Sequence, residues 1–331
     1  MSSADVAASV SVVLPCYNAA EFVESAVERL LEQRDVALEI VLVDDKSTDD
    51  TAALISALAD RHESVRAILL PENGGVAAAR EAAVAAATGD YVWFVDADDE
   101  WPDDAASALL KAANAVDADI VCAGATVVSE GQPERPVGDL PEGDLLTGPQ
   151  ALDALLVGGI TGHLWNKLFR RSLLGRIEFT RIRQHSDQAM VAQALVEASR
   201  VALLHRSVYV YKLRSGSIIR SGSRRADSLR ELGEVIARCV ARVDATALRR
   251  PDYLYYRARY HTLSRLKDAT SGAYSESERR SLVKQVRSEM SFAQLGAIGR
   301  RRDVTRFGIY TLGWMSPRTY SLVLDRAGGR L

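Results

Sequence analysis

The sequence predicts an α/β fold: a mixed, mostly parallel sheet flanked by helices, followed by a helical C-terminal region. Three observations carry this reading. Short apolar runs alternate with amphipathic stretches over the first hundred residues, the signature of repeated β-α units. Three of those runs end in polar or acidic turns, where ligands bind in such sheets. Beyond about residue 225 the strand signals fade and long helical periodicities take over. With 331 residues, 47% hydrophobic and 26% charged, the chain can bury a large core and is not disordered.

The elements follow in order. Residues 10–15 read as a strand, and 21–33 as a helix with Phe22, Val23, Ala26, Val27, Leu30 and Leu31 on one face. Residues 38–43 form a second strand ending in Asp44-Asp45, after which Ser47, Thr48 and Asp49 can cap a helix carrying Leu54, Ile55 and Leu58. A strand at 65–70, a glycine turn, an Ala-rich helix at 75–87 and a strand at 91–95 complete the pattern. Near-continuous apolar strands argue for a sheet covered on both faces. Residues 129–149, rich in Gly, Pro and acidic side chains, read as a loop or domain seam. Helices are expected at 226–243, 252–268 and 276–288.

Charge and cysteine usage narrow the classes. Residues 1–150 hold 8 Lys and Arg against 29 Asp and Glu, a balance of −21; residues 151–331 hold 33 against 15, or +18. Two solvated faces of opposite charge would explain this. So would an acidic half that holds a cation and a basic half that meets an anionic acceptor or membrane. Cys16, Cys122 and Cys239 show no CxxC spacing, so a reducing cytosol is the expected setting. No signal peptide and no membrane-spanning run is expected, and no nucleic-acid motif accompanies the basic residues.

Asp96-Ala97-Asp98-Asp99 directly follows the strand at 91–95. Carboxylates spaced by one residue at a strand end can converge on a hard cation, Mg²⁺ or Mn²⁺, which commonly shares its oxygen ligands with a diphosphate. The same residues could merely start a helix at Trp101-Pro102-Asp103. Asp44-Asp45 could accept an imide N–H or a ribose hydroxyl, or cap a helix.

Four blocks, in this order and spacing, closely resemble the family 2 glycosyltransferases. They are Val12-Val13-Leu14-Pro15-Cys16-Tyr17-Asn18, Ile40 to Asp49, Glu72-Asn73-Gly74-Gly75-Val76 with Ala79-Arg80, and Gly89-Asp90-Tyr91 leading to Asp96-Ala97-Asp98-Asp99. The resemblance covers about residues 9–220 and extends to the bacterial members that build surface polysaccharides. It implies the GT-A fold in a domain of residues 1–225. A Rossmann-like nucleotide-binding half would occupy about 1–125 and an acceptor half about 126–225, with the helical region at 226–331.

The resemblance also implies roles. Pro15 and Tyr17 would line the base, Asp45 would hydrogen-bond it with Asp44 beside it, and Gly74, Arg80 and Ala97 would lie against the nucleotide. Asp96 and Asp98 resemble the DxD pair, Asp96 nearer the ribose, both at the metal. Trp165-Asn166-Lys167 resembles the WNKL segment near the acceptor and sugar, with core packing the rival reading of Trp165. Asp187 stands where the family carries its base. Arg214 and Ser217 resemble diphosphate contacts. Lys46 replaces a common glycine, Glu81 a common asparagine and Ser186 the usual glutamate.

The implied function is a metal-dependent, inverting transfer of a sugar from a nucleotide-sugar donor, foremost a UDP-sugar, to a glycan or lipid-linked acceptor. A nucleotidyltransferase is the rival enzyme, although Pro15-Cys16-Tyr17-Asn18 contains no glycine to cradle phosphates. A catalytically inactive nucleotide-sugar-binding protein is the rival non-enzyme. In the tail, Arg300, Arg301, Arg302 and Arg306 stand beside Phe307, Ile309, Tyr310, Leu312, Trp314 and Met315, followed by Arg318, Tyr320, Leu322 and Val323. Such a segment could lie on an anionic membrane, which would place a cytoplasmic enzyme on the inner face of the plasma membrane, or pack onto the helices before it.

Overall fold

Residues 10–16 are apolar at almost every position, and β1 (Val10–Cys16) accordingly lies inside a nine-stranded sheet with parallel neighbours on both sides. The computed structural model describes residues 9–129, 131–213, 224–270, 273–316 and 319–320. The chain divides into two compact units, residues 1–214 and 215–331.

In the first unit β2 (Leu38–Asp44), β3 (Val65–Leu69) and β4 (Tyr91–Phe94) complete a parallel set, ordered β3-β2-β1-β4. The helices between them are α1 (Val23–Leu31), α2 (Thr51–Arg61) and α3 (Val76–Ala86). Strand alternation splits the apolar residues. Val10, Val12, Leu14, Ile40 and Leu42 join one core cluster with Val23, Val27 and Leu30 of α1 and Ile55 and Leu58 of α2. The intervening Val13, Val41 and Val43 are equally buried, and α3 packs against β1 and β2 with Ala79 and Ala83 fully covered.

After α4 (Ala105–Val116) the sheet changes character. β5 (Ile120–Ser129) lies beside β8 (Lys167–Arg170), which runs antiparallel between β4 and β5. Residues 129–149, expected as a loop, contain β6 (Arg135–Val137) on β5 and β7 (Leu145–Leu146) on β9 (Val201–Leu213). Parallel pairing of β5 with β9 extends the sheet. Four strand pairings are parallel and four antiparallel among the described residues, and the parallel ones are the longer, so the sheet is mixed as expected. Alongside lie α5 (Gly148–Val157), with a Thr147/Gln150 capping box, the short α6 (Arg171–Leu174) and α7 (Ser186–Glu197).

The second unit is helical. α8 (Ala226–Val243) precedes α9 (Pro251–Tyr256), where proline opens the helix. The helix expected over 252–268 is interrupted: Arg257–Leu263 is π-helical, and α10 (Ser264–Ala269) follows. α11 (Glu276–Ser288), capped by Ser275 and Glu278, leads to α12 (Phe292–Arg300) and α13 (Val304–Met315). Of the tail residues, Tyr310 is buried with Ile298 and Ala297, whereas Phe292, Val304 and Met315 are exposed. Arg318, Leu322 and Val323 lie outside the described residues. Among the described residues, no helix is long and apolar enough to cross a membrane.

Candidate functional site

The carboxyl ends of β1, β2 and β4 point the same way, and each delivers polar groups to one crevice. Cys16 sits opposite Asp44, and the Asp45 N–H donates to the Cys16 carbonyl at 2.9 Å. Tyr17 beyond it is exposed, beside partly buried Pro15. Asn18 ties the two strand ends together: its N–H donates to Ser47 Oγ and its Oδ1 accepts the Thr48 N–H, both at 2.9 Å. Asp44 is buried and accepts the Ser47 N–H.

Asp45 is also buried, and it organises the 73–75 turn. Its Oδ1 accepts the Gly74 N–H at 2.7 Å and its Oδ2 the Gly75 N–H at 2.8 Å. Each oxygen keeps a second lone pair for another donor. Glycine is required at 74, where a Cβ would stand 2.6 Å from that of Ala78, and at 75, where φ is +79°. Lys46, by contrast, holds φ +60° with a side chain. Lys46→Gly should therefore raise stability by about 1 kcal/mol, measured by urea unfolding. An unchanged midpoint would mean that the lysine side chain offsets its own backbone strain.

The acidic turn after β4 is held by β9. The Asp96 N–H donates to Tyr209 Oη at 3.0 Å, and that hydroxyl donates to Asp99 Oδ2 at 2.9 Å. Asp99 Oδ1 accepts the Lys212 N–H at 2.8 Å, and Glu100 pairs backbone-to-backbone with Val210. Asp99 is thus a buried anchor, and burial pushes its carboxyl up to about 8. Ala97 is buried, while Asp96 and Asp98 stay half-buried on the crevice side. Tyr209→Phe removes a donor from Asp99 and an acceptor from the Asp96 N–H. It should cost about 1–3 kcal/mol, and a denaturation midpoint equal to wild type would show that the hydroxyl does not hold the turn.

Arg80, on α3, joins this turn to α7. Its guanidinium is almost fully buried, donates from Nη1 to Asp187 Oδ1 at 2.6 Å, and places Nη2 3.9 Å from Asp96 Oδ1. Burial pushes the Asp187 carboxyl up, but the adjacent guanidinium outweighs it and holds the group below the ordinary carboxylate range. Asp96 moves the other way. Burial, opposed by Arg80 and reinforced by Asp187 and Asp98, pushes it up to about 6. Asp187 and Asp96 meet one guanidinium, and Asp98 acts on Asp96 in turn, which leaves local negative charge that a cation would relieve.

An aromatic wall closes one side. The Trp165 ring stacks on Tyr209 at 4.7 Å, on His163 at 4.5 Å and on Tyr211 at 5.7 Å. Asp99, Asp96, Asp98 and Asp187 all reinforce the effect of burial on the Tyr211 phenol, which rises to about 12. Burial pushes the His163 imidazole down to about 4, against the pull of Asp187.

Asn166 and Lys167, expected beside the acceptor sugar, are both buried. Lys167 Nζ donates to the His163 carbonyl at 2.7 Å, Asn166 Oδ1 at 2.9 Å and Thr161 Oγ1 at 3.3 Å. Asn166 Nδ2 donates to the Ala123 carbonyl at 2.7 Å. Lys167, at the start of a central strand, thus uses its ammonium donors inside the protein. Trp165 is likewise buried, its carbonyl accepting the Trp93 indole N–H at 2.8 Å. Arg214 and Ser217 lie outside the described residues.

The structure adds His163 and Tyr209, which no motif contained. It also brings to the site Asp99 of the acidic motif and Tyr211 of the segment carrying Arg214 and Ser217, neither of which was given a role. The i, i+2 spacing of the two tyrosines on one strand was the available signal. Among the described residues no three His, Cys, Asp or Glu side chains form a self-sufficient metal cluster. Asp96 and Asp98 suit a Mg²⁺- or Mn²⁺-type ion that completes its shell with phosphate oxygens and water.

Residues 11–177 match the family described as Glycosyl transferase family 2. The chain is 28% identical over 253 residues to glycosyltransferase GlyG of Streptococcus pneumoniae, covering 72% of this chain and 84% of that protein. It is 32% identical over 228 residues to the succinoglycan biosynthesis protein ExoO of Rhizobium meliloti, covering 65% of this chain and 64%, under two thirds, of that one. Among solved structures, residues 1–349 of S. aureus TarS in complex with UDP share the fold at a TM-score of 0.69. That match has 19% identity and covers 97% of this chain and 92% of that one.

Proposed function

The chain belongs to glycosyl transferase family 2, and we propose that it is a metal-dependent, inverting member using a nucleotide-diphosphate sugar, foremost a UDP-sugar. The observation that carries the reading is Arg80, buried between Asp187 at 2.6 Å and Asp96 at 3.9 Å. One guanidinium thereby links a candidate base to a candidate metal ligand.

On this reading the nucleoside lies over Pro15 and Tyr17, with Asp44, Asp45, Gly74 and Ala97 around base and ribose. Asp187 accepts the proton of the incoming hydroxyl as its oxygen bonds the anomeric carbon. The bond to the diphosphate breaks, and the electron pair leaves with it. A single displacement with one base inverts the anomeric centre. Arg80, held beside Asp187 and Asp96, would offset charge that develops on the leaving group. Asp96 and Asp98 would hold a divalent cation, which would supply further charge neutralisation there. Trp165 stiffens the wall near the acceptor from inside, with His163 and Tyr211 nearer the acidic centre. Domain bounds of 1–225 and 226–331 go with this reading.

The acceptor proposed is a growing glycan or a lipid-linked sugar in surface-polysaccharide synthesis, a reading supported by the printed name of ExoO. Peripheral contact of the tail with an anionic membrane is supported by exposed Phe292, Val304 and Met315 near Arg300 and Arg302. A panel of UDP-, GDP- and dTDP-sugars with Mn²⁺ tests the central claim. The expected result is stabilisation by one nucleotide class and release of nucleoside diphosphate on adding acceptor. Release of pyrophosphate would favour nucleotidyl transfer instead, and binding without turnover across acceptors would favour the inactive binding protein.

A further inference from the structure

The second unit contains a buried cluster of donors with one carboxylate at its centre. Arg257, His261 and Arg265 stand four residues apart along the π-helical stretch and α10, and all face Glu289 just after α11. Arg265 Nη1 donates to both Glu289 oxygens at 2.8 and 2.9 Å. Arg257 Nη2 reaches Oε2 at 3.5 Å, and His261 Nδ1 lies 3.7 Å away, beyond a hydrogen bond. Arg265 is 1% exposed, His261 5% and Thr262 fully buried.

Two features distinguish this cluster from an ordinary ion pair. First, its polarity is unbalanced. Two guanidiniums meet one carboxylate among the described residues, and Arg257 Nε, Arg265 Nε, His261 Nδ1 and Thr262 Oγ1 are buried without a hydrogen-bond partner. Buried donors and cations in such excess are costly unless an acceptor of opposite charge meets them. Second, the backbone is irregular at this place. A π-helical turn forgoes the tighter α-helical bonding and recurs at functional sites. It is backed by Gly233 of α8, where a Cβ would stand 2.4 Å from the His261 ring. The cluster is reachable, because the Arg257 and Glu289 side chains are 28% and 26% exposed.

We propose that Arg257, His261 and Arg265 form a binding site for a phosphate-type oxyanion in the second unit. A tetrahedral oxyanion offers several acceptors to match the guanidinium N–H groups and the imidazole N–H. Burial and the flanking arginines push His261 down to about 3, so the imidazole binds as a neutral donor through one tautomer. Glu289 offsets one of the two arginine charges, and a bound oxyanion would offset the other. Either free phosphate or the phosphomonoester of a lipid headgroup supplies this chemistry.

The test uses the full chain. Thermal unfolding is followed during titration with inorganic phosphate against chloride at matched ionic strength, and sedimentation is measured with vesicles containing phosphatidic acid or phosphatidylglycerol. Arg257→Gln is the main variant, since its side chain is partly exposed, and His261→Phe is the second, removing the imidazole N–H while keeping a ring at the site. Saturable stabilisation by phosphate, weakened about 10-fold or more in either variant, supports the site with a free anion as ligand. Binding to phosphatidic acid but not phosphatidylglycerol, lost in either variant, supports it with a headgroup as ligand. If neither probe binds, or both folded variants bind like wild type, the cluster is a structural ion network and the proposal is overturned.

Discussion

Asp187→Asn should leave donor binding intact while the transfer rate falls by about 10²–10⁴-fold, the range typical of a lost general base. Asparagine keeps the shape and, through its amide oxygen, can still accept the 2.6 Å bond from Arg80 Nη1. What it loses is the capacity to take a proton, together with the charge opposite a buried guanidinium. Stability should therefore fall as well, because Arg80 would retain only the Asp96 pair at 3.9 Å. The folded fraction must be measured beside the rate. The pH dependence of the base has a defined sign. Arg80 holds the Asp187 carboxyl below its ordinary range, so the group is ionised at neutral pH and its own protonation should cost activity only as pH drops through that lowered value. Protonation of Asp96, pushed up to about 6, would act first, on cation binding. A folded Asn variant turning over at the wild-type rate would move the base to another residue.

The β-α alternation was legible because its signals are local. Apolar runs such as Val10 to Leu14 and Ile40 to Val43 are short and uninterrupted, and the polar groups that end them stand next to them in sequence. The candidate aspartates at these strand ends were therefore legible too. What escaped depends on partners far along the chain. Tyr209 and Lys212 reach Asp99 across 110 and 113 residues, and no local pattern reports that β9 pins the acidic turn. Lys167 carries a charge that local reading places at a surface; only the insertion of β8 between β4 and β5 buries it among three acceptors. The strands β6 and β7 were hidden by proline and glycine, which local propensity disfavours but edge pairing tolerates. The π-helical turn at Arg257–Leu263 has no periodicity that sets it apart from a continuous α-helix in the sequence.

Asp98→Ala should abolish transfer, by about 10³-fold or more, the scale of several kcal/mol of charge stabilisation withdrawn from a departing diphosphate. Its effect on the fold should differ from that at Asp187. Asp98 is half-buried at the end of a strand rather than in the core, and its charge contributes to pushing up both the Asp96 and Asp99 carboxyls. Removing it relieves that repulsion but also ends the interaction Asp98 itself makes, so the unfolding midpoint should move little. Loss of activity alongside little-changed stability is the mark of a group retained for ligand chemistry rather than for packing. Donor affinity measured with Mn²⁺ should drop to the value wild type shows in EDTA, and Mn²⁺ should no longer improve it. Full transfer in EDTA, or in the Ala variant, would remove the cation from the mechanism and leave Arg80 as the group facing the diphosphate.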